Sequence, residues 1–413
     1  MGLPFVVLNM VSAVLFKDLG ISDAQIAFWT SLIMWPWTIK FLWSPFLEIF
    51  RTKKFFVVTT QLLSGILFGL AALSLHLPSF FAVTIAVFAV VAFSGATHDI
   101  AADGVYMSEL TTQDQAKYIG WQGAFYNLAK LVATGGLVWF AGFLYEGFSV
   151  VGAATFDAYV RSWTVVLAIL CGLLVLLGVY HVRALPAGGG AAERHSLRDG
   201  LSGLKEVVGA FFQKKHIWYY LGFIILYRLG EGFVMKIVPL FLKADTASGG
   251  LGLTNQQIGL YYGTFGAGAF LLGSLLAGYY IAHRGLRRTL FILCCIFNIP
   301  FAVYALLAWL QPQSMWIVGG GIVLEYFGYG FGFVGLTLFM MQQVAPGRHQ
   351  MAHYAFASGI MNLSVMLTGM ASGFLSDLMS YRIFFLAVML ATIPAFVITR
   401  LVPFTYDDKP NDK

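Results

Sequence analysis

Asp99 and Asp103 stand four residues apart in an otherwise apolar run, and Tyr106 follows three residues later. On a helix that spacing puts both carboxylates on one face. Two carboxylates that close repel each other when both are ionised, which suits them to share a proton. The plain alternative is that they finish the packing at one end of a helix and bind loop amides. His98 points about 100° away from Asp99, and the ordinary range of an imidazole would suit it to a pH-dependent role. Lys40 and Lys130 lie in two further apolar runs. Each needs an acidic partner or a wet cavity, and Asp99 or Asp103 suits either. Lys130, the deeper of the two, suits a substrate anion, whereas Lys40 also fits a side chain snorkelling to the surface. A third run holds Arg228, Glu231 and Lys236, with Gly230 and Gly232 beside them. Arg228 and Glu231 have the spacing of an internal pair, which lowers their cost without any function. The glycines also allow a bend or a close approach of substrate. Glu325, next to Tyr326 and near Tyr329, is a second candidate for binding a proton. Asn9, Asn127 and Asn362 offer amide hydrogen bonds, and Trp121 and Tyr126 offer flat rings for stacking. For any one amide, helix–helix glue is the commoner use.

These residues are conspicuous because charge is scarce. Charged residues make up 11% of the 413, against about 25% in soluble proteins, and hydrophobic residues reach 59%. Mean hydropathy is +0.78. Such a chain cannot clothe itself for water, but it can face lipid. The 45 glycines suit close helix packing in a bilayer. Cys171, Cys294 and Cys295 fall inside apolar runs and show neither a disulfide framework nor metal spacing, so no metal is expected. Glycine-rich runs lack the lysine of a phosphate loop, and GlyLeuTyrTyrGly at 259–263 is not a nucleophile elbow. The sequence therefore predicts no enzyme and no cofactor. An ion gradient, most simply of protons, is the expected energy source.

A span needs roughly 20 apolar residues. Candidates fall near 1–17, 24–46, 55–75, 79–106, 118–143, 163–183, 217–243, 255–282, 289–309, 313–343, 352–376 and 381–403, which makes twelve. No cleavable leader is read at the start, and the first span is a few residues short. The division is 1–183 as a first six-helix bundle, 184–216 as a polar linker, 217–403 as a second bundle and 404–413 as a tail. Within the linker, residues 201–212 read as an amphipathic surface helix. With the N-terminus inside, 17 Lys and Arg fall on the cytoplasmic side; outside are only Lys17, Arg161, Lys243 and Arg382. That bias predicts both termini in the cytoplasm. It also explains the net charge of +6 without a nucleic-acid partner.

Two short basic loops carry a more specific likeness. SerProPheLeuGluIlePheArgThrLysLys (44–54) and GlyTyrTyrIleAlaHisArgGlyLeuArgArg (278–288) resemble the signature loops of the major facilitator superfamily. Glu48 and Arg51 stand in the acidic and basic places of the first loop. In the second, Ala282 replaces the acid before Arg284 and Arg288. TrpThrIleLysPheLeuTrpSerProPheLeuGlu (37–48), AlaThrHisAspIleAlaAlaAspGlyValTyr (96–106) and GlyPheLeuSerAsp (373–377) resemble the peptide/acetyl-coenzyme-A transporter family and its muropeptide permeases. Members of that family import anhydro-muropeptides, acetyl-coenzyme A or siderophores. The resemblance implies an all-α membrane protein of major facilitator fold, with twelve helices in two six-helix bundles working by alternating access. It implies a multi-pass monomer in lipid of a bacterial inner membrane, acting on a small-molecule substrate.

On this basis Asp99, Asp103, Glu325 and Glu231 are expected to couple protons. Lys130, Arg228, Tyr126, Asn127, Trp121, Tyr326, Asn9 and Asn362 are expected to bind solute. Lys40, Glu48, Arg51, Arg284, Arg288 and Asp377 are expected to gate. The leading expectation is a proton-coupled importer of muropeptides. Siderophore import, coenzyme-A thioester transport and a non-transporting receptor are the alternatives.

Overall fold

The computed structural model describes residues 2–43, 47, 51–109, 125–187, 197–346 and 350–406, and every regular element among them is helical. Lipid leaves a backbone no water to bond, so apolar runs this long become helices. Among the described residues, nine helices are long and apolar enough to cross a bilayer. They are α3 (Lys53–Ser74), α4 (Phe80–Glu109), α5 (Phe125–Val150), α6 (Thr155–Ala184), α9 (Asn255–Arg284), α10 (Leu286–Leu310), α11 (Met315–Val344), α12 (Gln350–Leu378) and α13 (Tyr381–Leu401). Three further apolar segments are helical with an irregular turn or break. These are α1 (residues 2–18), α2 (residues 23–42) and α8 (residues 217–243).

Each interruption has a local cause. α1 carries a π turn at Val7–Val11. α2 breaks after Leu32, and its second piece, Trp35–Ile39, has Pro36 in its first turn, where the missing N–H costs least. α8 breaks at Arg228, just ahead of Gly230 and Gly232. Further π turns lie at Leu131–Leu137 in α5, Ile258–Phe265 in α9 and Met340–Val344 in α11. Helix ends follow the sequence signals: Thr254 caps α9 in a capping box with Gln257, and Gln311 closes α10 in the left-handed region at φ 41°.

Two expected boundaries need correction. α5 runs on to Val150 instead of ending near 143, because nothing in its Tyr145–Val150 stretch breaks a helix. α6 begins at Thr155, eight residues before the expected 163. Its polar first turn contains Asp157, which suits a helix N-terminus rather than a loop. The linker helix α7 spans Leu197–Phe212. Its buried Phe211 packs on His353 and Phe356, and Lys214 just beyond it donates to the carbonyls of Val344, Ala345 and Pro346 at 2.8, 3.3 and 2.5 Å. That ammonium caps the end of α11.

The chain forms two compact units. One holds residues 1–22, 29–201 and 254–259; the other holds 23–28, 202–253 and 260–413. In the first, α3 lies along both α4 and α6. Ser94 bonds Ser64 and the Thr60 carbonyl, each at 2.8 Å, and so joins α4 to α3. In the second, α9 and α11 meet through small residues. A Cβ on Gly330 would lie 2.1 Å from the Phe270 carbonyl oxygen, a backbone atom that cannot step aside. Gly330→Ala is therefore expected to destabilise the protein by about 1–3 kcal/mol. The loss should appear as a lower melting temperature in detergent. Gly268→Ala, where an added Cβ meets nothing within 4 Å, should leave melting unchanged. Equal melting of the two variants would disprove this close approach.

Candidate functional site

The first unit encloses a cavity of about 900 Å3, within the range of small-molecule sites. Its polar end is built on α4, where His98, Asp99 and Asp103 all face the space. The helix break at residues 33–34 and Pro36 restart α2 so that Trp37 lies against α4. Gly95, one turn before Asp99, makes room for the indole: a Cβ there would sit 2.7 Å from the Trp37 ring. Trp37 then donates from Nε1 to Asp99 Oδ2 at 2.8 Å. The other carboxylate oxygen, Oδ1, accepts no hydrogen bond from the described residues. Lys40, at the end of α2, is within electrostatic reach of Asp99. A buried carboxylate held by one neutral donor can exist with or without a proton, and that freedom is what coupling requires.

Tyr126 and Asn127 of α5 line the same cavity, together with Gln61 and Ser64 of α3. Phe5 packs edge-on against Trp37 at 5.2 Å and adds a further aromatic wall. Leu173, Leu174 and Leu177 of α6 complete an apolar side. The space thus pairs two carboxylates and several amide and hydroxyl groups with rings and aliphatic surface, which suits an amphipathic solute.

The other expected residues fall elsewhere. Lys130 is half-buried on α5, off the cavity wall, and its carbonyl accepts from Thr134 at 2.8 Å. Asn9 is half-buried in the π turn of α1, and Asn362 is half-buried on α12. Arg228 and Glu231 are buried in the second unit and bond each other twice, one contact being Nη2 to Oε1 at 2.5 Å. The guanidinium also lies over Phe333 at 5.2 Å. Lys236 is buried on the same helix. Glu325 is buried as well and accepts from Tyr304 at 2.8 Å, while neighbouring Tyr326 meets Tyr262 edge-on. Arg51, Arg284 and Arg288 are exposed. Asp377 is exposed at the end of α12, one turn before Tyr381. Glu48 and Trp121 lie outside the described residues.

The sequence reading overlooked several partners. Gln61 and Ser64, one turn apart in an apolar helix, were a signal that attention to charged groups passed over. His181 bonds Gln61, its Nδ1 lying 2.7 Å from Gln61 Oε1. Asp18 accepts from Trp163 at 2.9 Å and from Asn255 at 2.5 Å, and Asp23 accepts from Tyr381. Nothing local in the sequence signals contacts that far apart in the chain. Among the described residues, no cluster of His, Cys, Asp and Glu is placed to hold a metal ion.

Comparison with known proteins fits this architecture. The anhydromuropeptide permease of Escherichia coli K12 is 24% identical over 378 residues, covering 89% of this chain and 70% of that protein. The putative transporter AmpG 2 of Rickettsia bellii is 23% identical over 195 residues, covering 46% of each. Among solved structures, a D-xylose–proton symporter superposes with a TM-score of 0.71 at 10% identity, covering 98% of this chain and 96% of the other. A bacterial homologue of the human lysosomal transporter Spinster gives 0.68 at 14% identity, covering 97% and 94%. The family model of the Major Facilitator Superfamily matches residues 1–344 and again 225–413. The chain belongs to the major facilitator superfamily, as a multi-pass membrane secondary transporter rather than an enzyme.

Proposed function

We propose that this transporter imports muropeptide-like solutes across a bacterial inner membrane, driven by protons and working by alternating access. The observation that carries the reading is the cavity in which Asp99 and Asp103 stand beside Trp37, Tyr126 and Asn127. A carboxylate takes and releases the coupled proton there, while amides and rings hold sugar hydroxyls and peptide bonds. The likeness to an anhydromuropeptide permease supports the choice of solute. In this reading the twelve apolar segments form two six-helix bundles, 1–183 and 217–403. The linker 184–216, the tail 404–413 and both termini lie in the cytoplasm, as the Lys and Arg bias suggests. Asp99 is the coupling group, with Asp103 its neighbour and Glu325 a second acid in the other unit. Lys40, Arg51, Arg284, Arg288 and Asp377 remain candidates for gating.

The test is uptake of radiolabelled anhydro-muropeptide into proteoliposomes with an alkaline interior. Accumulation above the external concentration, lost when a protonophore collapses the gradient, is the expected result. No uptake beside an active control transporter would refute the substrate. The four aromatic residues on the wall, Phe5, Trp37, Phe125 and Tyr126, favour siderophore import as a second reading. Slower growth of a deletion strain under iron limitation would select it.

A further inference from the structure

We propose that His181 is the group through which the coupled proton leaves the cavity for the cytoplasm, with Gln61 as its positioning residue. The proposal rests on the proton-coupled reading above.

Three observations carry it. Gln61 is only 7% exposed, and it lines the cavity from α3. Leu173, Leu174 and Leu177 of α6 line the cavity too, and His181 follows Leu177 by four residues, one turn further along the same face. His181 lies in the last turn of α6 with Arg183, where the helix ends. It therefore continues the cavity wall toward the aqueous side. The bond to Gln61 at 2.7 Å then fixes the chemistry of the ring. An amide oxygen only accepts, so Nδ1 carries the hydrogen and Nε2 is left to gain and lose a proton.

The step balances simply. Protonated Asp99 releases its proton into cavity water and becomes a carboxylate. His181 takes that proton at Nε2 and becomes an imidazolium, its Nδ1–H still held by Gln61. The imidazolium then gives the same proton to cytoplasmic water and returns to neutral. The charged and titratable groups on the neighbouring elements are of both signs. Arg183 is on its own helix, Lys53 and Lys54 head α3, and His98, Asp99 and Asp103 of α4 line the same cavity. The Lys54 amide donates to the Ala187 carbonyl at 3.3 Å, which holds the start of α3 beside the end of α6.

Helix–helix glue is the competing account of the bond, and His181→Asn separates the two. Asparagine keeps an N–H donor for Gln61 but cannot titrate. Wild-type and variant proteins in proteoliposomes are compared in two assays with radiolabelled anhydro-muropeptide. Net gradient-driven uptake requires proton release. Counterflow at equal pH exchanges solute without net proton movement. The expected result is net uptake reduced about tenfold or more with counterflow retained. With the pH difference across the membrane held constant, wild-type uptake should rise as the internal pH goes from about 5 to 7, because release from an imidazolium becomes easier, and the variant should be flat over that range. Gln61→Leu should flatten the same profile in part. Equal loss of both assays would make the contact structural and overturn the proposal, as would full net uptake in His181→Asn. Wild-type accumulation that ignores the pH gradient would instead sink the proton-coupled reading itself.

Discussion

Asp99→Asn is expected to abolish accumulation against a gradient while leaving solute exchange intact. The substitution is nearly isosteric, and the asparagine carbonyl can still accept the Trp37 Nε1 bond. What disappears is the ability to carry a proton. Removing a charge from the membrane interior does not threaten the fold, since charge there is costly to maintain. The size of the effect follows from the driving force. A pH difference of one unit is worth about 1.4 kcal/mol per proton, or a tenfold concentration ratio at one proton per solute. Wild-type vesicles should therefore reach about tenfold accumulation per pH unit, and the variant should equilibrate at a ratio near one. Counterflow should persist in both. A variant that still accumulates tenfold would show that the coupling proton resides elsewhere, with Glu325 the next candidate. Asp103→Asn is the companion measurement, and a weaker loss there would assign Asp103 to tuning its neighbour.

The chemistry of this site was partly legible in the chain, and the limits have physical causes. Asp99 and Asp103 stood out because an acid in an apolar run is expensive and because helical period is a local property. The pairing of Arg228 with Glu231 was legible for the same reason, being internal to one helix. Trp37 stood in the sequence only as the first residue of the stretch 37–48. Its role as donor to Asp99 depends on the break in α2 and on Gly95 leaving space on α4, and Trp37 and Gly95 are 58 residues apart in the sequence. Lys130 shows what depth in an apolar run leaves open. Its depth made it the preferred anion site, but depth does not say which way a side chain faces, and the cavity wall passes it by. Asp18 and Asp23, five residues apart, have partners, Asn255 and Tyr381, that lie more than 200 residues away. Periodicity and composition report the helices; which faces meet is decided by tertiary packing.

Glu231→Gln is expected to be among the most damaging single substitutions in the protein. Arg228 and Glu231 are 5% and 3% exposed, and their two hydrogen bonds hold the guanidinium fork against the carboxylate across the break in α8. Neutralising the acid leaves a buried guanidinium with much of its compensation gone, at a cost of about 3–5 kcal/mol. Phe333, under the guanidinium at 5.2 Å, offsets only a small part of that. Removing both charges is a different matter. Arg228→Met with Glu231→Leu fills similar volume without an ion to desolvate, so the double variant should fall within about 1–2 kcal/mol of wild type. Thermal unfolding in detergent should then rank wild type and double variant close together, with Glu231→Gln well below. Transport by the double variant decides what the pair is for. Retained accumulation would make it a structural clamp on α8, which its mutual bonding favours. A stable double variant that exchanges solute but cannot accumulate it would instead return Glu231 to the proton path. If the single substitution melts with wild type, the buried pair is not holding α8, and the strength assigned to it here is wrong.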